Sequence, residues 1–453
     1  MSELRAALGA GAVLSGSEIG AKHRSDMSMT GTELPRALIR PRNTEEVAAA
    51  LRICNAHGAS VVPQGGLTGL AGGANARAGD IALSLDLLNG VEELDAEAGT
   101  LTVLAGTPLE RAQAAAAEAG FLLPLDLGSR GTAQVGGNLS TNAGGNRVIR
   151  YGMARAQVLG LEAVLADGTI LTNLNKMLKN NAGFDLKQLF IGSEGTLGII
   201  TRIVFRLRPL PQSTNSAFCA LPSFAAVLDL LRRAERDLGG AAAFEAMWPD
   251  FYRFVSAHPM TKSQPLSPDH PFYVLIEQQG LDAAGDAARF EAFLGEALEA
   301  ETLVDAVIAQ NEKEAQSFWR VREGYALDTL KDIVNFDVSL PIGRIGAFAE
   351  TCRARLEAKW PGGHFFFYGH IGDSNLHITT CVEYRPSEGM HDVDELIYAT
   401  VRDFNGSVSA EHGIGTLKKD YLGYSRSPEE IEIMRRIKGA LDPKGILNPG
   451  KVI

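Results

Sequence analysis

Short apolar runs separated by glycine-rich turns fill the first part of the chain. The runs are rich in β-branched residues, a pattern that predicts strands. One stretch, 44–57, instead has apolar residues at helical spacing, with Asn43 and Glu46 at its start and Gly58 after its end. This irregular alternation predicts an α+β domain. The predicted strands are 36–40, 59–63, 81–85, 101–104, 158–165 and 199–206.

Pro209-Leu-Pro211 interrupts this pattern, and longer helical stretches follow it. The mixture of helices and strands there predicts a second domain of the α/β type. We therefore expect domains at 1–211 and 212–400 and a mainly helical C-terminal segment at 401–453. The predicted elements of the second domain include helices at 224–238, 281–301 and 310–331 and a strand at 271–277.

Composition and charge restrict the functional class. A chain of 453 residues with 45% hydrophobic and 21% charged residues is typical of a soluble globular protein of two or three domains. Its net charge of −11 argues against a nucleic-acid partner. The four cysteines are far apart, which favours a reducing compartment, and no apolar run is long enough for a spanning helix. We expect a cytoplasmic enzyme with a small-molecule substrate.

The 49 glycines concentrate in loops that suit a ligand. In Pro63-Gln-Gly-Gly-Leu-Thr-Gly-Leu-Ala-Gly-Gly73 the backbone N–H groups can converge on an anion, although the loop is neither a Walker nor a dinucleotide motif. Taken alone, a structural turn is about as probable as a ligand loop. A second run at 128–145 and a third at 192–198 favour the ligand, and together they fit one large elongated cofactor.

Two histidines flank a predicted hairpin turn. The β-rich runs that end at His370 and begin at Leu376 enclose Gly372-Asp-Ser-Asn375, a strong turn sequence. Counting outward pairs His370 directly with His377, at a separation that suits two ligands of one divalent ion. Glu411-His412 is the best candidate for a third ligand, and the alternative is a pair of hydrogen-bonded core histidines.

The ordered set of motifs resembles the FAD-linked oxidases of the vanillyl-alcohol oxidase type. Two further motifs, H-I-G-D-S-N-L-H and E-H-G-I-G, narrow the resemblance to the branch of D-2-hydroxyglutarate and D-lactate dehydrogenases and the glycolate oxidase flavin subunit. The resemblance covers about 35–453 and implies a PCMH-type FAD-binding domain, an α/β substrate (cap) domain and a helical segment that packs back near the flavin. The ordered motifs are P-x-G-G-x-T-G at 63–69, G-x-x-x-x-G-G-N-x-x-T-N-A-G-G at 131–145, G-S-E-G-T-L-G-I-I-T at 192–201 and N-P-G-K at 448–451.

The resemblance also implies which residues bind FAD. The backbone of 64–69 would hold the pyrophosphate, Gly198 would lie near the adenine, and Asn448 would lie near the flavin. Family members with covalent FAD often carry histidine where this chain has Leu67, so the flavin should be non-covalent. The implied cofactor residues are Gln64, Gly65, Gly66, Leu67, Thr68, Gly69, Gly131, Thr132, Gly137, Thr141, Asn142, Gly145, Gly152, Gly198 and Asn448.

The same resemblance assigns the chemistry to three sets of residues. His370, His377 and Glu411 would bind a divalent metal, with zinc favoured and manganese as the alternative. His412 would move the proton. Arg322 would bind the α-carboxylate of a D-2-hydroxy acid that FAD oxidises, although sequence alone favours an exposed helix arginine.

The chain departs from the family at positions that contact substrate. Asn335 replaces a lysine of the hydroxyglutarate enzymes, Ala326 replaces a threonine, and Thr379 replaces an asparagine. Without the lysine a second carboxylate loses its partner, which favours a less charged 2-hydroxy acid. Trp248 is a further candidate for the pocket, although a core aromatic is the alternative reading.

Two other functions stay open at this point. One is a metal-independent FAD alcohol oxidase or dehydrogenase of the same fold, and the other is the flavin subunit of a larger complex similar to glycolate oxidase. The resemblance leaves the electron acceptor open among a quinone, an electron-transfer flavoprotein and dioxygen. It also suggests a homodimer.

Overall fold

The computed structural model describes residues 1–382 and 389–453. Contacts divide these residues into two compact units. The first unit contains 1–145, 152–210 and 411–453, and the second contains 146–151 and 211–410. The C-terminal residues from Glu411 therefore belong to the same unit as the glycine loops.

Strands occur throughout the described residues. In chain order they are β1 (Val13–Leu14), β2 (Ala37–Ile39), β3 (Val61–Gln64), β4 (Ile81–Ser84), β5 (Val91–Asp95), β6 (Thr100–Leu104), β7 (Phe121–Leu122), β8 (Val158–Val164), β9 (Ile170–Asn173), β10 (Ile199–Arg206), β11 (Arg208–Pro209), β12 (Ser213–Leu221), β13 (Ala243–Met247), β14 (Phe272–Gly280), β15 (Asp305–Ile308), β16 (Ile333–Ser339), β17 (His364–His370) and β18 (Asn375–Cys381).

The helices of the described residues follow the same order. They are α1 (Ser2–Leu8), α2 (Thr44–His57), α3 (Leu109–Glu118), α4 (Val135–Ser140), α5 (Val148–Tyr151), α6 (Lys187–Phe190), α7 (Phe224–Asp237), α8 (Pro249–Ala257), α9 (Ala283–Glu299), α10 (Glu312–Glu323), α11 (Ile345–Lys359), α12 (Gly389–Asp403) and α13 (Pro428–Leu441).

The first unit is built on two main sheets. One has the strand order β1-β2-β4-β3, with β4 parallel to both of its neighbours, and the other is an antiparallel sheet in the order β5-β6-β10-β8-β9. Leu51 of α2, Val103 of β6 and Phe205 of β10 are fully buried in one shared core. Because burial of such side chains contributes about 1.5–3 kcal/mol each, this core gives the glycine loops a rigid base.

The second unit is built on one antiparallel sheet in the order β15-β12-β14-β13-β17-β18-β16. Strand β13 is buried along its whole length, and it carries Glu245 among apolar residues. Aromatic side chains, among them Phe218, Tyr252 and Tyr273, form a core against this sheet. Four strands, β13, β17, β18 and β16, carry the polar residues described below.

Local sequence explains where several elements begin and end. The Asn43 side chain accepts a hydrogen bond from the Glu46 N–H at the start of α2, and Gly58 closes that helix with φ +61°, as the sequence predicts. The predicted helix at 310–331 is too long, because α10 ends where Gly324 adopts φ +66°. A short 3₁₀ turn, Tyr325–Thr329, follows it. None of the described helices is long and apolar enough to cross a membrane.

Candidate active site

A cavity in the first unit is lined by the three glycine-rich runs. Of the residues predicted to bind FAD, Gly131, Thr132, Asn142, Gly145 and Gly152 fall outside its lining as described. Gly145 is nevertheless the chain neighbour of Gly144, which does line it. The other predicted residues line the cavity: Gln64, Gly65, Gly66, Leu67, Thr68, Gly69, Gly137, Thr141, Gly198 and Asn448.

The backbone around this cavity is tightly packed and strained. A Cβ on Gly66 would lie 2.0 Å from the carbonyl oxygen of Thr132, so only glycine lets the first loop approach the second. Leu67, Glu194 and Asn448 all line the cavity with positive φ angles, of 58°, 52° and 42°. Non-glycine residues held in this region are typical of ligand-binding sites.

Several buried oxygen atoms of the lining have no hydrogen-bond partner among the described residues. Such atoms are rare in folded proteins, because an unsatisfied buried polar group costs about 1–3 kcal/mol. They indicate a polar ligand with hydroxyl or N–H donors. The atoms are Asp26 Oδ2, Gln134 Oε1, Asn138 Oδ1 and Asn448 Oδ1.

The side chain of Gln64 is held by His23 and Ala74. Its Oε1 lies 2.7 Å from His23 Nδ1, and its Nε2 donates to the carbonyl oxygens of His23 and Ala74 at 3.2 and 3.0 Å. Burial lowers the pKa of His23, and the hydrogen bond to Gln64 opposes this without cancelling it. A neutral imidazole therefore fixes the first residue of the predicted pyrophosphate loop.

The Glu411-His412 pair lies at the same cavity. Both residues line it, and His412 Nε2 is 3.8 Å from Glu411 Oε1. Glu411 Oε2 accepts a hydrogen bond of 3.1 Å from the backbone N–H of Gly145. This segment is anchored by Glu194, which accepts from the N–H groups of Ile414 and Gly415 at 2.7 and 2.8 Å.

Within the second unit, the histidine hairpin has a different register from the predicted one. Tyr368, not His370, lies opposite His377, because the turn occupies 371–374 rather than the predicted 372–375. On the other side of β17, His370 pairs with Glu245 of β13. The difference is two residues, so His370 and His377 still point to the same face of the sheet. Their rings lie 5.1 Å apart, and one nitrogen of each is within 4.8 Å of the other. The predicted direct opposition is wrong, but the histidines are neighbours.

Glu245 connects this hairpin to Arg322 of α10. Its Oε1 lies 2.6 Å from His370 Nδ1, and its Oε2 accepts a 2.5 Å hydrogen bond from Arg322 Nε. Burial alone would raise the pKa of Glu245, but the charge of Arg322 and then that of His370 outweigh it and lower the pKa to about 2. Arg322 is thus a buried, paired cation and not an exposed helix residue.

A chain of hydroxyl and amide groups continues along this sheet. Thr379 donates to Asn335 Oδ1 at 2.7 Å, and the Tyr368 hydroxyl lies 3.3 Å from Thr379 Oγ1. The guanidinium of Arg322 lies 5.1 Å from the centre of the Tyr368 ring. Ala326 is buried in the aromatic core beside it. The side chains of Asn335, Thr379 and Tyr368 therefore form a neutral polar group on this sheet.

The structure places Trp248 elsewhere. It follows β13 and packs against Phe224, Phe272 and Phe367, and it is 6% exposed. Phe367 alternates with Tyr368 along β17, so it lies on the opposite face of the sheet from the histidines. The suggestion that Trp248 lines a substrate pocket is therefore wrong, and the tryptophan belongs to the core.

Sequence comparisons match both parts of the chain. Residues 35–173 match the family described as FAD binding domain, and residues 210–452 match FAD linked oxidases, C-terminal domain. The chain belongs to the FAD-linked oxidase family. This confirms the predicted family and its FAD-binding fold.

Curated proteins similar to this chain include D-2-hydroxyglutarate and D-lactate dehydrogenases. The chain is 42% identical over 421 residues to mitochondrial D-2-hydroxyglutarate dehydrogenase of Bos taurus, covering 92% of this chain and 77% of the relative. It is 41% identical over 434 residues to D-2-hydroxyglutarate dehydrogenase of Xanthomonas citri pv. viticola, covering 94% and 91%. It is 39% identical over 427 residues to a putative mitochondrial D-lactate dehydrogenase of Schizosaccharomyces pombe, covering 92% and 81%.

Solved structures with a similar fold also match this chain. p-Cresol methylhydroxylase with substrate bound matches with a TM-score of 0.77 at 17% identity, covering 100% of this chain and 95% of that one. Alkyldihydroxyacetonephosphate synthase matches with a TM-score of 0.76 at 17% identity, covering 99% and 84%. These likenesses confirm the PCMH-type fold and carry no statement about substrate.

The residues of the cavity fit FAD, the cofactor of the matched family. FAD carries phosphates that fit a glycine-lined backbone, and hydroxyl and N–H donors that can satisfy the unpaired oxygens of the lining. Two of the residues with unpaired oxygen atoms, Gln134 and Asn138, lie inside the second glycine run. The sequence had already indicated that run as a ligand loop. Asp26 has no such signal, because it precedes every motif and reaches the cavity only through the fold.

Proposed function

We propose that the protein is an FAD-dependent dehydrogenase that oxidises a D-2-hydroxy acid to the 2-oxo acid with the help of a divalent metal ion. The relatives named as D-2-hydroxyglutarate and D-lactate dehydrogenases support this reaction class. The observation that carries the proposal is a cluster in the second unit, made of the buried Arg322, Glu245 and His370 and the half-buried His377. An arginine beside two adjacent imidazoles can bind a carboxylate and a metal side by side.

Arg322 is proposed to bind the α-carboxylate of the substrate. Its Nε donates to Glu245, which leaves the terminal Nη groups on the side of His370, with Nη2 3.4 Å from His370 Nε2. A guanidinium edge suits a carboxylate, and each charge-assisted hydrogen bond contributes about 1.5–3 kcal/mol. A buried, pre-oriented arginine loses little entropy when the substrate binds.

His370, His377 and Glu411 are proposed as the metal ligands. Two imidazoles and a carboxylate are a ligand set of catalytic zinc sites, with manganese as the alternative. Chain connectivity supports the third ligand: the N–H of Ala410 lies 3.3 Å from Asp337 Oδ2, and Asp337 pairs with His377 across β16 and β18. Glu411 is joined to Ala410 by one peptide bond.

His412 is proposed to accept the proton of the substrate hydroxyl. Oxidation breaks the O–H and Cα–H bonds and forms a carbonyl, with bound FAD supplying the hydride acceptor and the metal ion supplying a Lewis acid. His412 lines the cavity with about a quarter of its side chain exposed, so it can take up the proton and release it to water.

The substrate is proposed to carry no second carboxylate. Asn335, Thr379 and Tyr368 offer only neutral hydroxyl and amide groups on their part of the sheet. A distal carboxylate placed there would gain no cation from these three side chains. A 2-hydroxy acid with an apolar or neutral polar side chain suits these groups better.

Anaerobic reduction of the flavin tests the proposal. The holoenzyme is mixed with a panel of D- and L-2-hydroxy acids, before and after treatment with EDTA, and bleaching of the flavin absorbance is followed. We expect bleaching by D-acids with one carboxylate, loss of bleaching after EDTA, and recovery when Zn²⁺ or Mn²⁺ is restored. Bleaching that EDTA leaves unchanged would favour the metal-independent oxidase, and no bleaching by any 2-hydroxy acid would overturn the reaction class.

A further inference from the structure

Glu245 is the only charged residue of β13, and it is fully buried at the centre of the seven-stranded sheet. Each of its carboxylate oxygens has one ionisable partner. Oε1 lies 2.6 Å from His370 Nδ1 on β17, and Oε2 lies 2.5 Å from Arg322 Nε on α10. One carboxylate thus holds side chains from two other elements.

These contacts decide which atoms of both partners face the proposed site. With Nδ1 of His370 bonded to Glu245, Nε2 is the nitrogen that can bind a metal ion, as in carboxylate–histidine–metal arrangements. With Nε of Arg322 bonded to Glu245, the terminal Nη groups remain for a carboxylate. When Nδ1 carries the proton, His370 Nε2 accepts a hydrogen bond of 3.4 Å from Arg322 Nη2, and a metal ion on Nε2 would replace that contact.

The position of Glu245 is poorly explained by stability alone. A buried ion pair often contributes no more than an apolar group of similar volume, because both charges must lose water. The rest of β13 is apolar, and its neighbours Phe244 and Ala246 are fully or almost fully buried. A charged residue at this one place suits a role in orientation better than a role in packing.

We infer that Glu245 is a positioning residue that orients the metal ligand His370 and the carboxylate-binding Arg322 together. This inference rests on the proposed function. It adds a residue that touches neither substrate nor cofactor but sets the spacing between two groups that do. Its loss should therefore weaken metal binding and substrate binding at once.

Glu245→Gln is the first test variant. Glutamine keeps the volume but presents one N–H₂ group, which must face either Arg322 or the Nδ1–H of His370, so one contact becomes donor against donor. We expect the Kd for Zn²⁺, measured by competition with a chromogenic chelator on the full chain, to rise about 10- to 100-fold. KM for the 2-hydroxy acid should also rise, by more than kcat falls, while FAD content stays normal.

Glu277→Gln is the matched control. Glu277 is also buried on this sheet and bonded to an arginine, Arg147, and to Trp319 and Ser216, and none of its partners in the described part of the chain is a histidine. Its substitution should lower thermal stability and leave the Kd for Zn²⁺ unchanged. Glu245→Asp keeps the charge but is shorter, so it should reach one partner and impair metal and substrate binding unequally. It serves as the second variant if Glu245→Gln does not fold.

The possible outcomes distinguish a failure of this inference from a failure of the proposed function. Normal metal affinity and normal KM in folded Glu245 variants would overturn the inference and leave the proposed function intact. Equal loss of metal affinity in Glu277→Gln would also overturn it, since any weakened sheet would then have the same effect. An unsubstituted chain that binds no metal would instead overturn the proposed metal site, and with it the His370 half of the inference.

Discussion

Thr379 donates a hydrogen bond to Asn335 across the β16 and β18 pair, with Oγ1 2.7 Å from Oδ1. The pair is neutral, and no ionised side chain is part of it. If it faces the distal end of the substrate, Asn335→Lys should add a cation for a second carboxylate. A charge-assisted bond of about 1.5–3 kcal/mol would raise kcat/KM for a 2-hydroxy dicarboxylate by about 10- to 150-fold.

Asn335→Gln is the control for this change, since it lengthens the side chain without adding charge. It should leave the preference between mono- and dicarboxylates as it is. Steady-state kinetics on matched acids measures the ratio. An unaltered ratio in Asn335→Lys would place Asn335 outside the substrate pocket.

Arg322 and His412 should affect different kinetic constants. Arg322→Ala should raise KM sharply, and it should also destabilise the second unit by about 3–5 kcal/mol, because Glu245 is left buried without its cation. His412→Ala should mainly lower kcat, by about 10²- to 10⁴-fold, as expected when a general base is removed. Steady-state kinetics and thermal melting test both. Near-normal activity in either variant would contradict its assigned role.

FAD should be bound without a covalent link. Leu67 stands in the first glycine loop where covalent members of the family often carry histidine, and leucine has no nucleophilic atom. Acid precipitation should therefore release all the flavin into the supernatant and leave a colourless pellet. A pellet that stays yellow after washing would show that another residue forms the link.

Gly66→Ala should impair FAD binding. The added Cβ would lie 2.0 Å from the Thr132 carbonyl oxygen, so the first two glycine loops must separate. Overpacking of this kind costs about 1–3 kcal/mol, which corresponds to a loss of about 5- to 150-fold in affinity for FAD. Titration of the apoprotein by flavin fluorescence measures it. Gly79→Ala is the control, because nothing lies within 4 Å of its added Cβ.

His23 should make the first unit sensitive to mild acid. Burial lowers the pKa of His23 below its value in the unfolded chain, about 6.5. Its contribution to stability is therefore fully present above about pH 6.5 and is lost as the pH falls towards the folded pKa, because the unfolded chain binds the proton more readily. Urea unfolding of the unsubstituted chain at a series of pH values should show this loss.

His23→Asn separates this effect from general acid denaturation. Asparagine can still donate a hydrogen bond to Gln64 Oε1 but does not titrate in this range. The free energy of unfolding of this variant should fall less steeply below about pH 6.5. Equal slopes in both proteins would mean that other groups cause the acid sensitivity.

The main strands of the first unit and the start of α2 could be predicted from the sequence, because each depends on neighbouring residues. Asn43 caps its own helix, and Gly58 adopts its own positive φ. The family and the FAD-binding fold were also predictable, since the ordered motifs lie along the chain. The first glycine loop lines the cavity.

The contacts of the polar cluster could not be predicted from the sequence, because they join residues of different strands and helices. The hairpin turn occupies 371–374 rather than 372–375, and this changes the register by two residues, so that Tyr368 pairs with His377. A third strand, β13, places Glu245 beside His370. Glu245 and Asp26 carry no local signal, since their roles depend on residues distant in sequence. The position of Trp248 in the core likewise depends on residues distant in sequence. Contacts across strands depend on how the whole sheet packs, and no spacing along the chain encodes them.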